Sequence, residues 1–481
     1  MVQEYRNYIG GEWVDAADGA RFENINPADN DEVLGTFPKA TAEDVQRAIA
    51  TAREAFPAWA RTPAPRRGAI LDKASEIVAA RLDEFAETLT REEGKTLFEA
   101  RGEVTRTRDV FKYHSGAGWR MTGDVLPPTS SDEMIYTQRE PLGVIGVITP
   151  WNFPSAIPAW KIAPALVYGN TVVFKPASFA PHSALLLVEA LLEAGLPPGV
   201  INFVTGSGSV AGEAIASSPD VDGITFTGSH AVGKEIYQTA VDHMTRVQLE
   251  MGGKNPLIVL DDADLELATK LAVIGGFGAT GQVCTASSRV IVQEGIAGEF
   301  VDSLTNAARN LVVGNGLDKR TRMGPAVSAA QLQTDLDYIK IGQGEGAKLV
   351  AGGDRAGDGG YFVQPTVFDD VAPQMRIAQE EIFGPVIGVI RAGSIDDAIE
   401  KANDVGFGLS AGIVTNDLRA ALTFANNVEA GVVKINAPTS GIAVHVPFGG
   451  FKQSSANTFK EQGEAAIEFY TRTKSIYLTH G

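Results

Sequence analysis

Short apolar runs alternate with helix-periodic stretches from Val144 to Leu249. Val144-Ile-Gly-Val-Ile148 predicts a strand, Ala156 to Leu166 a helix, Thr171-Val-Val-Phe174 a strand and Ser183 to Ala194 a helix. Val200 to Val204 then predicts a strand, Gly212 to Ser217 the start of a helix, Gly223-Ile-Thr-Phe226 a strand, Val232 to Thr239 a helix and Val247-Gln-Leu249 a strand. Strands of continuous apolar character, each followed by a helix, are buried on both faces. The rhythm predicts an α/β fold with an open parallel sheet and helices on both sides, and such sheets bind dinucleotides beyond the carboxyl ends of their strands.

The flanking patterns differ. Residues 5 to 40 read as short strands and turns, with a hairpin signal at Gly10-Gly11. Thr41 and Asp44 have the spacing of a capping box. Long helices follow to about Ser115, with Ile70, Ala74, Ile77, Val78, Leu82, Phe85 and Leu89 at helical spacing. Glu99, Arg101, Glu103, Arg106 and Arg108 read as a solvated or helix-packed face. A second alternating region runs from Leu257-Ile-Val-Leu260 to about Val433 and includes Arg289-Val-Ile-Val292, Pro385 to Ile390, the helix Ile395 to Asn403, and Ser410 to Val414. Asp354 to Gly360 reads as a surface turn, and Thr129 to Gln138 and Thr473 to Leu478 as isolated strands.

Composition narrows the function. A chain of 481 residues suggests two to four domains. A net charge of -18 leaves no basic excess for phosphate backbones, so no nucleic-acid partner is expected. The six histidines include no pair at i, i+3 or i, i+4, and there is one cysteine, so no metal site is expected. The N-terminal residues carry charge without an apolar core, and the longest apolar run, Leu142 to Pro150, is only strand length. A cytoplasmic protein with no membrane contact is the expectation.

The lone cysteine, Cys284, sits among Gly278, Gly281, Thr285, Ala286 and Ser287, small residues that leave a sulfur approachable. A free cysteine is ordinarily an inert buried residue. Its company changes that reading. Gly-Gln-Val-Cys284, Leu249-Glu250-Met-Gly252-Gly-Lys-Asn-Pro256 and Thr149-Pro150-Trp151-Asn152-Phe153-Pro154 together resemble the signature stretches of the NAD(P)-dependent aldehyde dehydrogenase superfamily. The resemblance runs from Gly10 to Ser475.

It implies Cys284 as nucleophile, Asn152 and the Cys284 backbone N–H as oxyanion donors, and Glu250 as general base. The cofactor is expected along Thr149, Pro150, Trp151, Phe226 and Gly252. Lys175 is implied on the adenosine ribose, Glu381 on the nicotinamide ribose and Phe383 beside the ring. Gly228 and Ser229 form a strand-to-helix turn suited to phosphate. Gly206, Gly208 and Gly212 give GxGxxxG, one residue off the dinucleotide fingerprint, a departure the family shares. Ser178 stands where NAD-preferring relatives carry glutamate, so NADP is the expected preference over NAD.

The implied substrate pocket comprises Phe153, Ile157, Trp160, Val283, Thr285 and the Thr439 to Pro447 loop with His445. Gly408-Leu-Ser410-Ala-Gly412 matches a hydrolase elbow, but Ile413-Val414 continues a strand, so Ser410 reads as structural. The implied architecture has a Rossmann-type cofactor domain (1–120 and 141–250), oligomerisation strands (121–140), a catalytic domain (251–435), a return segment (436–466) and an oligomerisation arm (467–481). A homodimer or homotetramer follows from that arm. Within the superfamily, Pro154 to Trp160 and Gly441 to Gly450 look like semialdehyde dehydrogenases acting on 2,5-dioxopentanoate. Succinate semialdehyde and broad-range enzymes share much of the pattern. A catalytically silent structural member would have lost Cys284 or Glu250, and a CoA-acylating member usually lacks the glutamate.

Overall fold

Five strands buried along almost their whole length order the first sheet. Val144–Ile148, Thr171–Lys175, Ile201–Phe203, Gly223–Thr227 and Arg246–Glu250 are parallel, and only Arg246 among them reaches the surface. The computed structural model describes residues 2–357, 359–455 and 458–480, so position 358 of the expected surface turn lies outside the described residues. Across the sheet the strands run Arg246–Glu250, Gly223–Thr227, Val144–Ile148, Thr171–Lys175, Ile201–Phe203. The order reverses between Val144–Ile148 and Gly223–Thr227, which opens a crevice beyond their carboxyl ends.

The sheet is not purely parallel, as the alternation had suggested. Asn7–Ile9 and Glu12–Val14 add an antiparallel hairpin to its edge through the Tyr8 to Phe203 register. The reason is local: the turn Gly10-Gly11 takes positive φ at both residues, and Gly10 N–H donates to Asn202 Oδ1 at 2.9 Å.

Helices cover both faces. Ala42–Arg61 opens with the expected reciprocal cap between Thr41 and Asp44, and Leu97–Ser115 opens with the same device between Thr96 and Glu99. The second sheet has the order Lys348–Ala351, Thr366–Asp369, Val386–Ala392, Ser287–Gln293, Asn255–Val259, Ser410–Val414, Val432–Ile435, and only its first strand is antiparallel. The two strands expected to stand isolated pair with each other: Thr471–Thr479 lies antiparallel to Glu133–Pro141 over nine residue pairs, with Val125–Leu126 beyond. Residues 129–132 turn ahead of that strand rather than joining it. No described helix is long and apolar enough to cross a membrane.

Candidate active site

The strand Val144–Ile148 ends at the switch point in the Thr149 to Pro154 loop, and the helix Ala156–Val167 follows. Two side chains fix this loop. Lys95 Nζ donates to the Asn152 carbonyl at 2.6 Å and stands 4.1 Å from the Phe153 ring centroid. Glu103 Oε2 takes the same ammonium at 2.7 Å. The other Glu103 oxygen accepts Ser155 N–H at 2.9 Å and Ala156 N–H at 3.1 Å, satisfying donors at the start of the helix. Asn152 is buried, and its Nδ2 donates to the Gln282 carbonyl at 2.9 Å. An amide NH2 has two hydrogens, so one is left for a second acceptor.

Gln282 belongs to the loop that presents Cys284. After the helix Leu265–Phe277 the chain turns through Ala279, Thr280 and Gly281 at φ of 46°, 60° and 69°. Three consecutive left-handed residues are costly and persist only when held. Glu99 holds them, accepting Ala279 N–H at 2.7 Å. Beyond the turn, Asn255 Nδ2 donates to the carbonyls of Cys284 at 2.8 Å and Ala286 at 2.9 Å. Asn255 Oδ1 accepts Ser410 N–H at 2.9 Å, and Ser410 Oγ donates to the Thr439 carbonyl. Ser410 begins a strand and ties loops together, as the sequence reading of it has it.

Cys284 and Asn152 line one cavity of ≈ 220 Å³, with Trp151, Glu381 and Phe383 on its walls. Burial, then the charges of Glu381, Glu250 and Glu461, push the Cys284 thiol up to about 12, against the Thr285 N–H. The sulfur is a neutral thiol at pH 7 in this state. The Glu381 carboxylate accepts Gly253 N–H at 2.9 Å, and burial raises it to about 7. A Cβ at Gly252 would stand 1.9 Å from Glu381 Oε2, so a side chain there would displace the Glu381 carboxylate. Phe383 is held at φ 61° and meets Trp151 edge-on, centroids 5.3 Å apart. Gln331 secures it by donating to the Ile382 and Phe383 carbonyls at 3.1 and 3.3 Å, and it also lines the cavity.

Glu250 closes its strand but does not line this cavity. Its Oε2 accepts Gly450 N–H at 3.3 Å, and its Oε1 has no partner and rests against Gly449, where a Cβ would approach to 2.4 Å. Burial, then Glu461, raise its pKa well above the ordinary carboxylate value, opposed by Lys460 and Lys161.

At the far end of the crevice the Lys175 Nζ donates to the Pro176 carbonyl at 2.7 Å, its stem lies 3.9 Å from the Cβ position of Gly212, and burial lowers it to about 8. Ser178 Oγ donates to the Gly206 carbonyl at 3.1 Å. Gly208–Gly212 is a wide helical turn leading into Glu213–Ala216. Ser229 precedes the helix His230–Val241 and is exposed, and Thr227, Gly228 and Ser229 line the cavity. The buried Thr149 and Thr227 hydroxyls have no protein partner. A crevice at the switch point, unpartnered hydroxyls and a helix N-terminus fit an anionic dinucleotide.

Several expected residues lie elsewhere. Phe226 is buried with its ring against Gly228 and joins the sheet core. Of the expected substrate residues only Ile157 lines the Cys284 cavity. Phe153 lies under Lys95, Trp160 pairs with Phe448 at 6.1 Å, and the Thr285 carbonyl accepts Thr439 Oγ1. His445 is exposed on its loop and Val283 is half-buried. Lys95, Glu103, Asn255 and Gln331 were not anticipated. Glu103 could have been suspected only from the sequence as an acid inside a long helix.

Comparison with known proteins adds an independent line. The model of the aldehyde dehydrogenase family matches residues 13–476. The chain is 49% identical over 478 residues to an alpha-ketoglutaric semialdehyde dehydrogenase of Bacillus subtilis, covering 98% of each. It is 46% identical over 471 residues to a 2,5-dioxopentanoate dehydrogenase of Saccharolobus solfataricus, again covering 98% of each. Its structure superimposes on a Staphylococcus aureus betaine aldehyde dehydrogenase in complex with NAD+ with a TM-score of 0.96, at 36% identity, covering 98% of this chain and 95% of that one.

Proposed function

The chain belongs to the aldehyde dehydrogenase family, an NAD(P)-dependent aldehyde-oxidising enzyme, and we propose that it acts on a small carboxylated semialdehyde of the 2,5-dioxopentanoate type. In this reading Cys284, Asn152 and Glu250 carry the chemistry. The observation that carries it is the shared cavity: a lone thiol and an amide with a free hydrogen open onto the crevice where a dinucleotide fits.

Cys284 Sγ first gives its proton to solvent, and the thiolate so formed adds to the aldehyde carbon. The carbonyl electrons move to oxygen, and the new C–S bond creates a thiohemiacetal. The second Nδ2 hydrogen of Asn152 and the Cys284 backbone N–H receive the negative oxygen, and one such donor is typically worth about 3–4 kcal/mol. A nicotinamide bound in the crevice would supply the acceptor for the hydride leaving that carbon. Glu381 and Gln331 would orient its ribose, Phe383 and Trp151 its ring, and Thr149, Lys175, Gly208, Gly212, Gly228 and Ser229 the rest of the dinucleotide. Water then attacks the thioacyl carbon, its proton goes to Glu250, and the C–S bond breaks to return the cysteine.

Glu250 must swing from Gly449 and Gly450 towards the sulfur to reach that water. Its raised pKa makes it a stronger base than an ordinary carboxylate. Exposed Val125, Met134, Tyr477 and Leu478 on the three-stranded sheet support a homodimer or homotetramer. The absence of an acid at Ser178 supports a preference for NADP.

The test is a panel of semialdehydes and uncharged aldehydes, each with NAD and NADP, compared by kcat/KM. 2,5-Dioxopentanoate is expected at the top. A maximum on an uncharged aldehyde would replace this reading with a broad-range one.

A further inference from the structure

Arg106, expected on a solvated or helix-packed face, turns inward. Its guanidinium lies 5.5 Å from the Trp160 ring centroid and donates to the Ile442 carbonyl. It also donates to Gln462 Oε1 at 2.6 Å. Two of its five N–H groups are accounted for in this way. Among the described residues no carboxylate pairs with it: Asp109, on its own helix, instead takes Arg108 at 2.6 Å. Burial is the main influence on the guanidinium and lowers its pKa. Asp109 acts on it only at longer range, so this half-buried cation has no acid in contact with it.

Its neighbours repeat the imbalance. The Gln462 Nε2 and the Trp160 Nε1 are buried donors with no acceptor, and both belong to groups already against Arg106. Gln462 is held at φ 61°, a conformation unusual for a residue other than glycine or asparagine. Lys434 donates to the Gly441 carbonyl at 2.6 Å, next to the carbonyl that takes Arg106, and the positive charge of Arg106 contributes to lowering its pKa. The site therefore holds two cations and two idle donors, with two backbone carbonyls and the Gln462 amide oxygen as the acceptors between them. Its missing component is an anion.

The site is joined to the cavity wall by one helix. Ile157 lines the cavity with Cys284, and Trp160 lies three residues on along the helix Ala156–Val167. That is about 4.5 Å of helix rise. In a five-carbon semialdehyde the carboxylate carbon is four C–C bonds from the aldehyde carbon, roughly 5 Å at about 1.5 Å per bond. We propose that Arg106, aided by Gln462 and Trp160, is the subsite that receives the distal carboxylate of the substrate and so selects carboxylated semialdehydes. This rests on the functional reading above, because only a substrate with a second anionic end can use it.

The experiment is the ratio of kcat/KM for 2,5-dioxopentanoate over pentanal, measured for the wild type, Arg106→Met and Arg106→Lys. The wild-type ratio should be large. In Arg106→Met it should fall roughly 10- to 100-fold, mainly through KM of the semialdehyde, as expected for loss of a charge-assisted contact. Arg106→Lys should recover part of it, which a purely packing role would not produce. A wild-type ratio near one overturns the functional reading itself. A large wild-type ratio that persists in Arg106→Met overturns only this subsite. If the methionine variant does not fold, glutarate serves as a competitor of the wild type and of Arg106→Lys. Competition weakened in the lysine variant supports the subsite, and no competition, or equal competition, overturns it.

Discussion

Lys95 reaches from outside the crevice to the backbone of Asn152, its Nζ 2.6 Å from that carbonyl and 2.7 Å from Glu103 Oε2. The side chain touches neither the cavity nor the sulfur, but it holds the residue whose amide faces both. Position is what oxyanion stabilisation depends on, since a misplaced donor contributes little.

Lys95→Met should therefore lower kcat more than it raises KM, by about tenfold or more. It should also destabilise the fold by about 3–5 kcal/mol, because Glu103 is left as an unpaired buried charge. Denaturant unfolding and steady-state kinetics on the same preparation check both. A variant with lowered stability and an unchanged kcat would make Lys95 structural only.

Glu250→Gln should leave a burst of cofactor reduction near one equivalent per active subunit and a slow steady state. Its carboxylate stands by Gly450 and, in the function proposed above, acts on the deacylating water after the hydride has left. In the wild type the raised pKa sets the sign of the pH dependence. Deacylation needs the ionised form, so it should fall as pH drops through that raised value and recover above it. Stopped-flow absorbance of the reduced nicotinamide separates the phases. Loss of the burst would place Glu250 earlier, at activation of the thiol.

Much of the scaffold was legible because parallel strands buried on both faces leave a continuous apolar signature, as in Val144–Ile148 and Gly223–Thr227. The cavity's thiol and amide were legible through their motifs. Glu99, Glu103 and Arg106 were not. A charged residue on a helix carries no sign of its partner when that partner is 180, 52 or 336 residues away, as Ala279, Ser155 and Ile442 are. Arg101 has only Asp83 within reach and stays exposed, as the helical pattern implies. The edge hairpin at Tyr8 was legible as a hairpin, but its docking on Phe203 was not, for the same reason of distance along the chain.

Glu381 and Cys284 are coupled through charge, since Glu381 is the foremost charged group raising the thiol. Glu381→Gln should lower the thiol pKa and speed alkylation of Cys284 by iodoacetamide in the cofactor-free enzyme, up to roughly tenfold at pH 8.5, where each pKa unit is worth about 1.4 kcal/mol. Glu381 itself titrates at about 7. Below that pH it is neutral in the wild type, so the two proteins should converge at pH 6 and diverge above 7. Equal rates at every pH would mean that the Glu381 charge does not set the thiol.

Cofactor choice is expected to turn on Ser178. The strand Thr171–Lys175 delivers Lys175 and then Ser178 to the rim of the crevice, and the Ser178 hydroxyl is spent on the Gly206 carbonyl at 3.1 Å. A glutamate there would accept both ribose hydroxyls of NAD and would repel a 2′-phosphate at contact distance. With serine the repulsion is gone, and Lys175 supplies a positive charge nearby. Burial lowers Lys175 to about 8, so at pH 7 it remains mostly protonated, and an incoming phosphate would stabilise that proton further. NADP should be favoured in wild type by kcat/KM. Ser178→Glu should move the ratio towards NAD by about tenfold or more, equivalent to ~1.4 kcal/mol of differential binding. The preference for NADP should also weaken above pH 8, as Lys175 loses its charge, more steeply than any loss with NAD. A wild-type preference for NAD that Ser178→Glu leaves unchanged would show that another residue closes the phosphate site.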